Sequence, residues 1–357
     1  MRGAGMITIK EVARHAGVSM STVSYVLSGK RTISEETKRR VEQSILALGY
    51  QPNAGARALA SNKSQVLGLV VPLRSDQIMP VIMQFVSSIV ASARDHDYDV
   101  LLLTKESGPG EAHRVVARSM ADAIIMMDVE SADPRIPELR SIDAPVVLIG
   151  LPDDHEGLNC VDLDFTAAGR HMVGHLADLG HRSIALIGSH PSVYERGTSY
   201  AARLLDGFQR EAARRDLPVS VHACAPGPDS VAACLDDVLR PDRGTTSLVV
   251  HNEAILSQLL FELQRRSLRV PADVSVITLC PDDLAESLPV PLTSIAVPAE
   301  QLSAIAVEMV VTRLAREQAP EVRLLQPRLT DRGSTATKLG PGEPDPNHQN
   351  GNFVKSP

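Results

Sequence analysis

A short segment near the start of the chain carries side chains of the kind that read nucleic acid. Between Ile9 and Leu27 the sequence runs IKEVARHAGVSMSTVSYVL. A helix beginning at Ser19 would turn Met20, Ser21, Thr22, Ser24 and Tyr25 outward. Hydroxyls, a thioether and a phenol near the start of such a helix can reach base edges and phosphates in a major groove. Met20, Ser21 and Tyr25 are assigned to base reading, and Ser19, Thr22 and Ser24 to phosphates. Thr8, Asn53 and Arg57 are assigned to the same DNA surface. A helical hairpin with no nucleic-acid role is the competing reading.

A second group of polar residues stands at the carboxyl ends of apolar runs further along the chain. These are Leu73, Arg74, Ser75, Asp76, Asp128, Ser189, the trio His251-Asn252-Glu253, and Cys280. In open parallel sheets a ligand binds beyond those strand ends, and two sheets facing each other would gather such groups into one cleft. A place on a surface loop is the alternative for each. Catalytic signatures are missing: there is no GxSxG elbow, no GxxxxGK phosphate loop and no HExxH. His171 and His175 lie one helical turn apart but have no third ligand nearby in sequence, so an ordinary helix face is expected rather than a metal site. The reading is of a non-enzyme with no metal and no cofactor.

Elements that would position these residues follow from periodicity. Val12 and Ala13 suit the buried side of a first helix. Gly17 supplies the turn, Val18 plugs it, Ser19 caps the second helix, and Val23 and Val26 face back. Ser34 caps a third helix, whose buried stripe is Val41, Ile45 and Leu48 and which stops at Gly49. Next comes PNAGARALAS, an alanine-rich stretch too short to be a stable helix alone. Its protruding Leu59 could wedge into a minor-groove base step; a linker whose leucine packs on the body is the alternative. After residue 64 the pattern changes to short Val-, Ile- and Leu-rich runs, from Val66–Val71 to Val274–Leu279. They are separated by amphipathic stretches such as Val81–Arg94 and Arg203–Arg214. That order predicts crossovers and a mostly parallel, doubly wound sheet. The stretch from Ser334 to Pro357 is polar and rich in Gly, Pro and Asn, and is expected to be a disordered tail.

Composition agrees with a soluble, non-secreted chain. Of 357 residues 43% are hydrophobic and 22% charged, and no apolar run reaches the length of a membrane helix. Four cysteines without a CxxC pair fit a reducing compartment. The net charge of −7 conceals a basic head, +6 over residues 1–64, on an acidic body of −13. Only the head suits a polyanion. Trp is absent and aromatics are 3%, which predicts no stacking platform for a sugar.

The order TIKEVARHAGVSMSTVSYVLSG, ISEETKRRV, LGYQPNAGARALAS resembles the DNA-binding head and hinge of the LacI/GalR family of bacterial repressors. The likeness continues through GLVVP, VDLDFTAAG, LGHRSIALIG, VPADVSV, LTSI and LLQPRLTDRGST, roughly residues 6–335. The resemblance implies an N-terminal three-helix helix-turn-helix DNA-binding domain (6–51), a hinge helix (52–64) and an α/β periplasmic-binding-protein-like (type I) effector-binding and dimerisation domain (65–333). Its two subdomains are expected at about 65–163 with 294–322, and at about 164–293 with 323–333. A cytoplasmic homodimer on a near-palindromic double-stranded operator is implied, with Leu59 intercalating and a small-molecule effector between the subdomains. The effector residues expected are Ser75, Asp76, Asp128, Arg203, Asn252 and Cys280; Asn252 matches a cleft asparagine of the family. The chain departs from many sugar-binding members in two places. Leu204 stands where an arginine precedes the Gly-Phe pair, with Arg203 one residue early, and Thr278-Leu279-Cys280 replaces Gly-Tyr-Asp. An unidentified polar metabolite, with a sugar among the candidates, is therefore the expected ligand. A solute-binding module with no DNA role is the alternative.

Overall fold

The computed structural model describes residues 7–28, 31–50, 63–74, 78–104 and 110–338. Asn53, Arg57, Leu59, Ser75, Asp76 and the sequence beyond Lys338 lie outside the described residues. The chain divides between Gln65 and Val66 into two compact units.

Three helices build the first unit: Ile9–Ala16, Met20–Ser28 and Glu35–Leu48. Ahead of the first, the Glu11 carboxylate accepts from the Thr8 backbone N–H at 2.7 Å and from its hydroxyl at 2.9 Å. Gly17 ends that helix at φ +65°, a left-handed conformation that a Cβ would strain. Ser19 Oγ then accepts from Thr22 N–H at 3.0 Å and starts the second helix. Val12, Ala13, Ala16, Val23, Val41 and Tyr50 close a small core between the three.

Among the described residues the second unit has twelve strands. They are β1 (Val66–Val70), β2 (Asp99–Leu103), β3 (Ala123–Met126), β4 (Val146–Ile149), β5 (Asn159–Leu163) and β6 (Ile184–Gly188), then β7 (Val219–Ala223), β8 (Ser247–Val250), β9 (Ser275–Leu279), β10 (Thr293–Ile295), β11 (Val322–Leu325) and β12 (Leu329–Thr330). They form two sheets, ordered β11-β5-β4-β3-β1-β2 and β12-β10-β9-β8-β6-β7. Every pairing is parallel except β10 with β12. All residues of β3, β4, β5, β6, β8 and β9 are buried, because helices cover both faces. The edge strands β2, β7 and β11 are partly exposed.

Each sheet with its helices is a lobe, and the chain crosses between lobes three times: after β5, after β10 and after β11. Two boundaries differ from the sequence expectation. The expected subdomain edge falls inside Thr293–Ile295, but this strand pairs in parallel with Ile277–Leu279 and lies wholly in the second lobe. The expected boundary after residue 322 places most of Val322–Leu325 in the second subdomain, but this strand pairs with Cys160–Leu163 in the first. Helix Ala299–Ala315, between these crossings, buries Leu302, Ala306, Val307 and Val310 against the first sheet.

The start of the expected tail is also corrected. Ser334 is fully buried. Its Oγ donates to Val276 O at 2.5 Å and accepts from Thr293 N–H at 2.7 Å. Ala336 N–H donates to Ser275 Oγ at 3.0 Å and Lys338 N–H to Leu179 O at 2.8 Å. Backbone pairing of this kind holds polar residues in place that composition alone assigns to a coil.

Helices Phe165–Asp178 and Ser199–Arg214 cross at Gly169 and Gly207. A methyl group on Gly207 would run into the Thr166 carbonyl, and one on Gly169 into the Leu204 carbonyl. Gly207→Ala should force the helices apart and lower stability by about 3 kcal/mol. Urea unfolding of the variant beside the parent checks this, with an unchanged midpoint as the contrary result.

Candidate nucleic-acid interface and ligand cavity

In the first unit the second helix presents one polar face. Met20 is 51% exposed, Ser21 is exposed, and Thr22, Ser24 and Tyr25 are half-buried. Ser19 and Thr22 share a hydroxyl–hydroxyl hydrogen bond of 2.8 Å. The Arg31 guanidinium stands 5.7 Å from the centre of the Tyr25 ring, where it is attracted by the π face. Lys38, Arg39 and Arg40 are exposed on the third helix. A hydrogen-bonding face with cations beside it is the chemistry that duplex DNA demands.

The second unit contains a cavity of about 860 Å³. It lies where the carboxyl ends of the two sheets meet. Met127, Asp128, Gly150 and Asp162 reach it from the first lobe, and Ser189, His251, Asn252 and Leu279 from the second. The lobes are joined around it: Ser131 N–H donates to Gly197 O at 2.7 Å, and Ser199 N–H to Val129 O at 3.0 Å.

Arginines neutralise two of the carboxylates in the cavity wall. Arg74 pairs with Asp128. Arg203 Nη1 pairs with Asp162 Oδ2 at 2.6 Å, its Nη2 donates to Leu163 O at 3.0 Å, and its guanidinium covers the Phe165 ring at 5.8 Å. Burial pushes the Asp162 carboxyl up to about 6 against the pull of Arg203. Asn252 spends its amide nitrogen on the carbonyls of Gly188 (3.2 Å) and Cys224 (2.8 Å), tying together the ends of β6, β7 and β8. His251 is 3% exposed, has no protein partner for Nδ1, and is held neutral by burial, with its pKa down to about 4. Glu253, next along, is pushed up to about 7 by burial.

Residues 8–53 match the bacterial regulatory proteins of the lacI family. Residues 64–234 match the periplasmic binding proteins and sugar binding domain of the LacI family, and residues 173–335 the periplasmic binding protein-like domain. The chain belongs to the LacI family. It is 27% identical over 317 residues to catabolite control protein A of Priestia megaterium, covering 87% of this chain and 93% of that one. It is 28% identical over 347 residues to the HTH-type transcriptional repressor PurR of Vibrio campbellii, covering 94% and 100%. Among solved structures it is similar to a transcriptional regulator CelR–cellobiose complex, with a TM-score of 0.65 and 25% identity over 92% of this chain and 99% of the other. Its fold is also that of the lac repressor dimer bound to operator and the anti-inducer ONPF, with a TM-score of 0.79 and 23% identity over 92% and 99%. The LacI-family chain is a DNA-binding transcription regulator and not an enzyme. Among its described residues no helix is long and apolar enough to cross a membrane.

Of the effector residues expected for this LacI-family regulator, Asp128 and Asn252 line the cavity. Arg203 stands behind Asp162, its charge already met. Cys280 does not line the cavity: its side chain turns into the core of the second lobe, and Sγ donates to Pro281 O at 3.5 Å. Burial pushes that thiol up to about 12, so it offers neither a thiolate nor a carboxylate's acceptors. The expected lack of an aromatic platform is also corrected. Phe165, Tyr200 and His251 form a cluster with ring centres 5.6–6.2 Å apart in the cavity wall, and Phe85 joins the wall. Asp162, Phe165 and Tyr200 were missed as site residues. Their signal was local: Phe165 closes the VDLDF run, and Tyr200 lies one helical turn before Arg203. His175, one of the helix-face histidines, hydrogen-bonds through Nε2 to Thr335 Oγ1 at 2.8 Å.

The Glu253 pKa in the fold lies above its ordinary value of 4.5, so its favourable contribution to stability is present below about pH 4.5 and lost as pH rises through about 7. Glu253→Gln removes that loss. The stability of this variant relative to the parent should grow across that window by on the order of 2 kcal/mol. Thermal unfolding at stepped pH measures it, and a pH-independent difference is the contrary outcome.

Proposed function

We propose that this chain is a repressor that binds a near-palindromic operator as a cytoplasmic homodimer, and that a small polar molecule in the inter-lobe cavity sets its affinity for DNA. One observation carries the reading: a basic helix-turn-helix with an exposed hydrogen-bonding face shares a chain with a two-lobed domain whose cavity draws its walls from both lobes. Met20, Ser21 and Tyr25 read bases, while Thr8, Ser19, Thr22, Ser24, Asn53 and Arg57 hold sugar–phosphate. Leu59 enters the central minor groove.

A ligand touching both lobes favours one angle between them. In a homodimer that angle sets the spacing of the paired hinge segments, which fold on DNA or are released from it. Coupling of this kind is reciprocal, so operator DNA changes ligand affinity by the same factor. The relatives named repressors and the CelR–cellobiose complex support a metabolite-responsive reading. Glucosides and other small sugars are the natural first probes.

Gel shift on the DNA upstream of its own gene should show sequence-selective association that weakens steeply with salt. Leu59→Ala should reduce both affinity and DNA bending, and Tyr25→Ala should alter base preference as well as affinity. Tight, fully bent complexes with Leu59→Ala would remove the wedge role. Salt-insensitive or sequence-indifferent binding by the parent protein would remove the repressor reading itself.

A further inference from the structure

The charge of the cavity wall restricts what it can hold. Among the described lining residues there is no lysine and no arginine, whereas four are acidic: Asp128, Asp162, Glu253 and Asp283. Asp128 and Asp162 are neutralised from behind by Arg74 and Arg203. Asp283 is exposed at the mouth and accepts a 3.5 Å hydrogen bond from Gln84 Nε2 across the cleft. Glu253 differs from all three: among the described residues no cation pairs with it. Beside it, the deeply buried His251 lines the same cavity, in contact with the Tyr200 and Phe165 rings.

We propose that the ligand of this cavity is an organic cation, an amine or guanidinium on an apolar or ring-bearing body, with its charged head on Glu253. This rests on the reading of the cavity as the effector site. A phosphorylated or carboxylated ligand would meet no compensating charge in the wall and would be repelled. A neutral hydroxyl would restore a hydrogen bond to Glu253 but leave its desolvated charge unpaired, whereas a cation restores both. The neutral imidazole of His251 adds no opposing positive charge. Tyr200, Phe165 and Phe85 line the same cavity and can cover the apolar body of such a ligand.

Three probes of matched shape and different charge separate these cases: 2-phenylethylamine, 2-phenylethanol and phenylacetate, each titrated into the full-length protein by calorimetry. The amine should bind about tenfold more tightly than the alcohol, a difference that one pairing energy of ordinary size produces. Phenylacetate should not bind. Glu253→Gln, with its folding verified by thermal unfolding, should bring amine and alcohol level. An alcohol that binds as well as the amine in the parent protein overturns the proposal, as does a preference that survives Glu253→Gln or an amine with no saturable binding. Operator gel shift with the same probes and with cellobiose keeps the two readings apart. Amine binding that leaves operator affinity unchanged supports the cation site and removes the effector reading. A neutral sugar that alters operator affinity where the amine does not bind keeps the effector reading and removes the cation.

Discussion

A buried ion pair joins the lobes at the back of the cavity. Asp162 belongs to β5 in the first sheet, and Arg203 to a helix packed on the second. Side chains so little exposed lose most of their hydration, and the cost is offset only while both partners and their secondary hydrogen bonds are in place. The bond from Arg203 to Leu163 O and the approach to Phe165 complete that set. Opening the cleft by a large angle would separate the pair and leave a charge unpaired in a low-dielectric setting. The pair therefore restricts the lobes to rotations that keep it intact, and a ligand beside Asp162 acts on a joint that is already stiff.

The same joint explains why the two sheets present their carboxyl ends to one another. Parallel strands require crossovers of a dozen residues or more, and these put helices on both faces. The only polar, accessible part of such a sheet is its end. Three chain crossings then bring two such ends together, and Asn252 ties three strand ends of the second lobe with a single amide. Groups lining the cavity are held by β-structure and by the Gly169–Gly207 helix crossing, so their positions are set by the core.

The head was legible in sequence because its determinants are local. Gly17, Ser19, Val23 and Ser34 act within one or two turns, and turn and cap chemistry follow directly from residue type. Central strands were legible for a similar reason, as unbroken Val, Ile and Leu runs. Short strands at the lobe crossings were not. Val322–Leu325 joins the first sheet through partners more than 150 positions earlier, and no property of those four residues announces the pairing. The cavity was legible only in part: strand ends gave Asp128 and Asn252, but composition misled about aromatics. Few rings in the chain as a whole says nothing about how many converge, and here helix geometry gathers Phe165 and Tyr200 onto one spot. Cys280 failed as a ligand residue because a strand end has two faces, and this side chain takes the inner one.

The hydrogen bonds of Ser334, Ala336 and Lys338 give the C-terminal segment the role of a seam along the second sheet. Its stitches fall on Val276, Thr293, Ser275 and Leu179, which belong to stretches laid down far apart along the chain. The second lobe therefore gains its last fastening across β9 and β10 only when the segment from Ser334 to Lys338 is in place. A cut ahead of Ser334 would remove these bonds together and fray the lobe from that side.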